Sequence, residues 1–105
     1  MDIIFEKKYL RELYELGFTT NKKYRFQPDV IKRYQARIAI LENADKIEDL
    51  YSLNSLHYKI LKGDKKDISS IRVNNQYRIE FKFTVVSSKT EVTICNILEL
   101  SNHYK

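Results

Sequence analysis

A change of period near Ser55 constrains this chain more than any other feature of its sequence. Before it, apolar residues recur at helical spacing; after it, they alternate. Tyr9, Leu10, Leu13 and Leu16 predict a short helix over residues 8–16, with Gly17 as its C-cap. Pro28 suits the first turn of a second helix and Asp29 suits its dipole. Ile31, Tyr34, Ile38 and Leu41 then share one face, opposite Lys32, Arg33, Arg37 and Glu42. Residues 43–46 break this helix, and a helical turn or irregular segment is expected over 47–53.

Beyond Ser55 the elements read as strands. Residues 56–61 look strand-like, and 63–66 form a turn. Residues 69–74 alternate, with Ile71 and Val73 on one face and Arg72 on the other. Asn74-Asn75 signals a hairpin, because Asn tolerates positive φ. Tyr77, Ile79, Phe81 and Phe83 point one way, whereas Arg78, Glu80 and Lys82 point the other. Residues 87–89 make another turn, and 91–100 form a last strand whose apolar phase slips between Ile94 and Ile97, the mark of a bulge. Ile3-Ile4-Phe5 supplies a short first strand. The expected architecture is α+β: a short N-terminal strand and two helices packed on an antiparallel sheet of three to four strands. With 105 residues, two Gly and one Pro, the chain leaves no room for a linker, so one domain over 1–105 is expected.

Composition narrows the function classes. Apolar residues make up 43% and charged residues 31%, which suits a globular chain rather than a disordered one. Nineteen Lys and Arg against fourteen Asp and Glu give a net charge of +5, which points to an anionic partner, nucleic acid or acidic protein. One cysteine, Cys95, excludes a disulfide framework, and two histidines are too few for a histidine-rich metal site. No window approaches the ~18 apolar residues of a membrane span and no secretion signal opens the chain, so a cytoplasmic protein without membrane association is expected.

Candidate chemistry sits on the polar sheet face, where alternation places Arg72, Arg78 and Lys82, joined by Lys59 or Lys62. A face of this kind is either a solvated surface or a phosphate-binding one. Tyr58 and Tyr77 could stack on bases if they faced that side, but parity turns Tyr77 to the core. His103 is either a solvated tail residue or a proton-transfer group for an RNA 2′-hydroxyl or a leaving 5′-oxygen. His57 has the same two readings. No Gly-rich phosphate loop, nucleophile elbow or zinc spacing occurs.

Two stretches carry a family likeness. Residues 55–66, Ser-Leu-His-Tyr-Lys-Ile-Leu-Lys-Gly-Asp-Lys-Lys, resemble the strand and turn of HigB toxins, a branch of the RelE/ParE superfamily. Residues 70–81, Ser-Ile-Arg-Val-Asn-Asn-Gln-Tyr-Arg-Ile-Glu-Phe, are similar to their central hairpin, and Ser101-Asn102-His103-Tyr104 stands where many members end in Asp-Tyr-His. The resemblance implies a microbial-RNase-like fold and metal-independent cleavage of mRNA on the translating ribosome, with no cofactor. It also implies a HigA-like helix-turn-helix antitoxin as partner, and contact with operator DNA only through that antitoxin. By this likeness the catalytic set is Arg78 as phosphate clamp, His103 as general acid or base, and Lys62 and Lys59 for charge. Arg72, Lys82, His57, Lys65, Lys66 and Tyr104 complete the expected RNA-binding surface. Lys59 stands where the common pattern has a histidine. Truncating Arg78 to Ala is expected to abolish cleavage and leave the fold intact. Two other functions fit the same architecture: poisoning of DNA gyrase, as in ParE-like relatives, and RNA or ribosome binding without catalysis.

Overall fold

The computed structural model describes residues 1–63, 67–86 and 92–102. Its elements are strand β1 (Asp2–Phe5), helix α1 (Lys8–Leu16), helix α2 (Pro28–Asn43), and two 3-10 turns (Ile47–Leu50 and Asn54–Leu56). Strands β2 (Lys59–Ile60), β3 (Ser69–Arg72), β4 (Tyr77–Val86) and β5 (Val92–Asn102) follow.

Both helices form where the apolar spacing puts them. Tyr9, Leu10 and Leu13 of α1 are buried, as are Val30, Tyr34, Ile38 and Leu41 of α2. Gly17 ends α1 at φ 79° and donates its N–H to the Leu13 carbonyl. Gln35 of α2 covers the same helix end, donating from Nε2 to the carbonyls of Leu13 (3.1 Å) and Tyr14 (3.2 Å). A Cβ at Gly17 would meet only Gln35 Nε2 at 3.5 Å, so the cost of a side chain there is backbone strain rather than a clash. Gly17→Ala is expected to lower stability by about 1 kcal/mol, read as a shift in the urea midpoint at constant slope. Tyr34 is fully buried, and its hydroxyl donates to the Leu10 carbonyl at 2.8 Å, which ties α2 to α1.

The sheet has five strands in the order β1-β5-β4-β3-β2. Three pairings are antiparallel, as expected, but β1 runs parallel to β5, with Ile3 opposite Cys95 and Phe5 opposite Ile97. The sheet is therefore mixed. Both helices lie between β1 and the rest of the sheet in sequence, so they act as a crossover that returns the chain on one face. That face supplies Ile71, Ile79, Phe81, Cys95, Ile97 and Leu100 to the core shared with α1 and α2.

Several local expectations are corrected. Residues 56–61 are not one strand: Leu56 closes a 3-10 turn with a fully buried side chain, His57 adopts a left-handed conformation (φ 47°), and only Lys59–Ile60 pair with β3. The β3–β4 hairpin turns where expected but without positive φ at either Asn. Instead Asn74 Oδ1 accepts the amides of Gln76 (2.8 Å) and Tyr77 (2.7 Å), so the side chain organises the turn. The bulge in β5 lies further along than expected. Register shifts after Glu80/Phe81, which pair with Glu99 and Ile97 and leave Leu98 unpaired. Ile94 is not part of the slip; Thr93, Cys95 and Ile97 are buried in unbroken alternation. The turns expected at 63–66 and 87–89 fall largely or wholly outside the described residues.

Candidate nucleic-acid interface

Antiparallel register fixes which side chains share the face away from the helices. Residues directly opposite one another point the same way, so Arg72 of β3, Arg78 of β4 and Ser101 of β5 form one row. Lys59, Ser70, Glu80 and Glu99 form the next, across all four antiparallel strands. Lys82 and Asn96 form a third. Lys59, Arg72, Arg78 and Lys82 are thus on one face, as their parity predicts. A cavity of about 620 Å³ opens on this sheet; Glu80, Glu99, Leu100 and Ser101 line it together with Glu6 and Lys7.

Arg78 is the centre of this arrangement, and it is not a solvated residue. Only 9% of it is exposed. Its Nε donates to Ser70 Oγ at 2.9 Å, and Nη2 donates to the His57 carbonyl at 2.6 Å and to the Ser70 carbonyl at 3.4 Å. The left-handed turn at His57 aims that carbonyl at the sheet, so the backbone of residue 57, rather than its exposed side chain, is what serves the site. Burial and then the like charge of Arg72 push the Arg78 guanidinium below its ordinary value. Among the described residues Nη1 has no protein acceptor, and it is not a buried orphan. Because so much of the side chain is committed to Ser70 and His57, truncating Arg78 to Ala is expected to cost stability as well as charge, a cost the polar-face reading of the sequence did not include.

The remaining expected residues are placed unevenly. Lys62 is exposed beyond the end of β2, next to Gly63 at φ 71°. Lys65, Lys66, His103 and Tyr104 lie outside the described residues. The strand that precedes His103 ends with Ser101 opposite Arg78 and Asn102 opposite Tyr77. Tyr77 packs edge-on against Phe26 with ring centroids 5.3 Å apart, and the Tyr58 hydroxyl bonds to Ser69 Oγ at 2.9 Å. Both rings belong to the core side and neither is a base-stacking platform. Among the described residues no group of three or more His, Cys, Asp or Glu is arranged to hold a metal ion, and no helix is long and apolar enough to cross a membrane.

The model of the RelE-like toxins of type II toxin–antitoxin systems, HigB, matches residues 3–97. The chain belongs to the HigB-like toxin family. Toxin HigB-1 of Vibrio cholerae is 33% identical over 84 residues, which span 79% of this chain and 84% of that protein. An uncharacterised protein of Haemophilus influenzae is 30% identical over 79 residues, 75% of each chain. The fold also matches a solved YoeB/ParE toxin from Agrobacterium tumefaciens, with a TM-score of 0.54 and 15% identity over 99% of this chain and all of that one. As a member of a type II toxin family, this HigB-like toxin is expected to act opposite a cognate antitoxin.

Some residues that shape the site of the HigB-like toxin have roles that spacing does not show. Ser70 opens the hairpin stretch that carries the family likeness, but only the structure shows that it is 1% exposed and holds Arg78. Glu99 is fixed by Lys7 Nζ at 2.6 Å and by the Tyr9 hydroxyl, which in turn accepts the Leu100 amide at 3.3 Å. This knot sits beside the bulge and anchors the stretch of β5 that passes Arg78. Its components are ninety or more positions apart, too far for spacing to reveal.

Proposed function

We propose that this toxin inhibits translation as a metal-independent endoribonuclease that cleaves mRNA on the ribosome. The observation that carries the reading is the fixed guanidinium of Arg78. It is held in a polar sheet face by protein acceptors, with Arg72 in register beside it and one terminal nitrogen unused. Such a donor suits charge that develops on a phosphate, because its orientation is set before the substrate arrives. Family membership supports the same reading.

In the proposed reaction a ribose 2′-oxygen attacks the adjacent phosphorus as its proton passes to a base. The bond to the 5′-oxygen breaks, and that oxygen takes up a proton. The products are a 2′,3′-cyclic phosphate and a 5′-hydroxyl end. Arg78 stabilises the equatorial charge of the phosphorane, and Lys59 and Lys62 add positive potential. His103 transfers a proton. Arg72 and Lys82, with His57, Lys65, Lys66 and Tyr104, contact the RNA. A HigA-like helix-turn-helix antitoxin neutralises the toxin and carries the complex to its operator DNA.

The test uses purified toxin with ribosomes programmed by a defined mRNA. Wild type is expected to release fragments with cyclic-phosphate ends. His103→Ala is expected to slow the single-turnover step by about 10²-fold or more and to change ribosome affinity far less. Equal losses in rate and affinity would make His103 a positioning residue. Absence of fragments from the wild-type reaction would remove the ribonuclease reading.

A further inference from the structure

β2 pairs with only the first two residues of β3, so the carbonyl of Arg72 stands at an open sheet edge. Arg37 of α2 fills that opening by donating from Nε to the Arg72 carbonyl at 2.9 Å. This bond draws a residue from the expected solvent side of the helix to the sheet edge beside Arg72. Arg33 precedes Arg37 by one helical turn, so the two are neighbours on the helix surface. Arg72 is in turn opposite Arg78. The four side chains therefore run as a line, Arg33–Arg37–Arg72–Arg78, from the outer helix layer round the edge of β3 to the centre of the polar face.

No ion pair holds any of the four among the described residues. Burial, then Arg33 and then Arg72 push the Arg37 guanidinium below its ordinary value. The same polar face carries Glu80 and Glu99 one row along from Arg72 and Arg78, with Glu99 paired to Lys7. Arg72 is oriented by a hydrogen bond from Nη2 to Asn75 Oδ1, as Arg37 is by the Arg72 carbonyl. Each guanidinium carries five N–H donors in a planar fork, so each keeps donors beyond those that fix it.

We propose that Arg33, Arg37 and Arg72 form a phosphate-binding track that holds the RNA backbone outside the reaction centre and leads it to Arg78. The inference rests on the ribonuclease reading and adds a second binding region, on α2, to it. RNA is favoured over an acidic peptide because the track is continuous with the proposed phosphate clamp. Forked guanidinium groups also match pairs of phosphate oxygens.

The experiment measures binding of a fluorescein-labelled single-stranded oligoribonucleotide to the full chain over a series of KCl concentrations. Wild type, Arg33→Ala and Arg33→Ala/Arg37→Ala are compared. The double variant is expected to bind about 10-fold more weakly at low salt. The slope of log K against log salt should become shallower by roughly 0.7 for each phosphate that is no longer neutralised. In the ribosome assay the loss should fall on KM rather than kcat. Arg33 is exposed and outside the core, so the single variant keeps its fold and carries half the effect even if loss of the Arg37 anchor destabilises the double one. Unchanged affinity and slope in Arg33→Ala and in a folded double variant would overturn the track. Intact RNA binding with weakened antitoxin binding would overturn it in favour of an acidic-peptide site. A wild-type protein that bound RNA through these residues and cut none would sink the ribonuclease reading and leave the track standing.

Discussion

Arg78→Lys should reduce mRNA cleavage by about 10²–10³-fold, the range for removing one preorganised donor from a site of developing charge. Lysine keeps the charge but not the fork. It cannot bond Ser70 Oγ and the His57 carbonyl at once while leaving a third nitrogen for the phosphate. Ser70 is 1% exposed, so a lost partner there is not replaced by bulk water; the stability cost should be about 1–3 kcal/mol. The two effects separate by experiment. Thermal melting gives the stability loss, and cleavage measured well below both transitions gives the chemical one. Arg78→Ala should lose more stability than Arg78→Lys and is the poorer probe of chemistry. A Lys variant with normal cleavage would show that the guanidinium fork has no part in the reaction.

Phe81→Ala should cost about 3–5 kcal/mol, the top of the range for a single core substitution. Phe81 is fully buried at the point where β4 meets the bulge in β5. Its ring packs at 5.1 Å from Phe83 and 6.4 Å from Tyr58. The core around it is assembled from β3, β4, β5 and both helices, and a site fixed from so many elements cannot collapse around the lost ring. Total stability for a domain of this size is about 5–15 kcal/mol, and each kcal/mol moves the melting temperature by roughly 4–8 °C. A fall of tens of degrees is therefore expected. Val85→Ala on the same strand, 49% exposed, should change stability by no more than about 0.5 kcal/mol. Similar melting temperatures for the two variants would contradict this core.

What the sequence made legible is what depends on local period. Helix α1, with Gly17 as its cap, helix α2 with its buried face, and the inward row of β4 all follow from spacing alone. The polar row of Arg72, Arg78 and Lys82 is equally local, because alternation in one strand fixes the face of every residue in it. What stayed hidden depends on partners distant in sequence. No pattern in Asp2–Phe5 says that it pairs in parallel with β5. Alternation shows that Arg78 faces away from the core, but not that Ser70 and the carbonyl of a left-handed His57 enclose it. Arg37 reads as a solvent-side helix residue, and only the short reach of β2 along β3 gives it a carbonyl to bond. Residues 56–61 read as strand-like, yet Leu56 is apolar because it closes a turn over the core.

Whether this toxin cuts mRNA on the ribosome is tested most directly by mapping mRNA 5′ ends on translating ribosomes after induced expression without antitoxin. Wild type is compared with an Arg78→Lys, His103→Ala double variant. Growth arrest with new 5′-hydroxyl ends in phase with the reading frame is expected for wild type, and neither for the variant. Arrest without new ends would contradict the ribonuclease and point to DNA gyrase as the target. Absence of arrest with expression verified would contradict it in favour of a binding protein without catalysis.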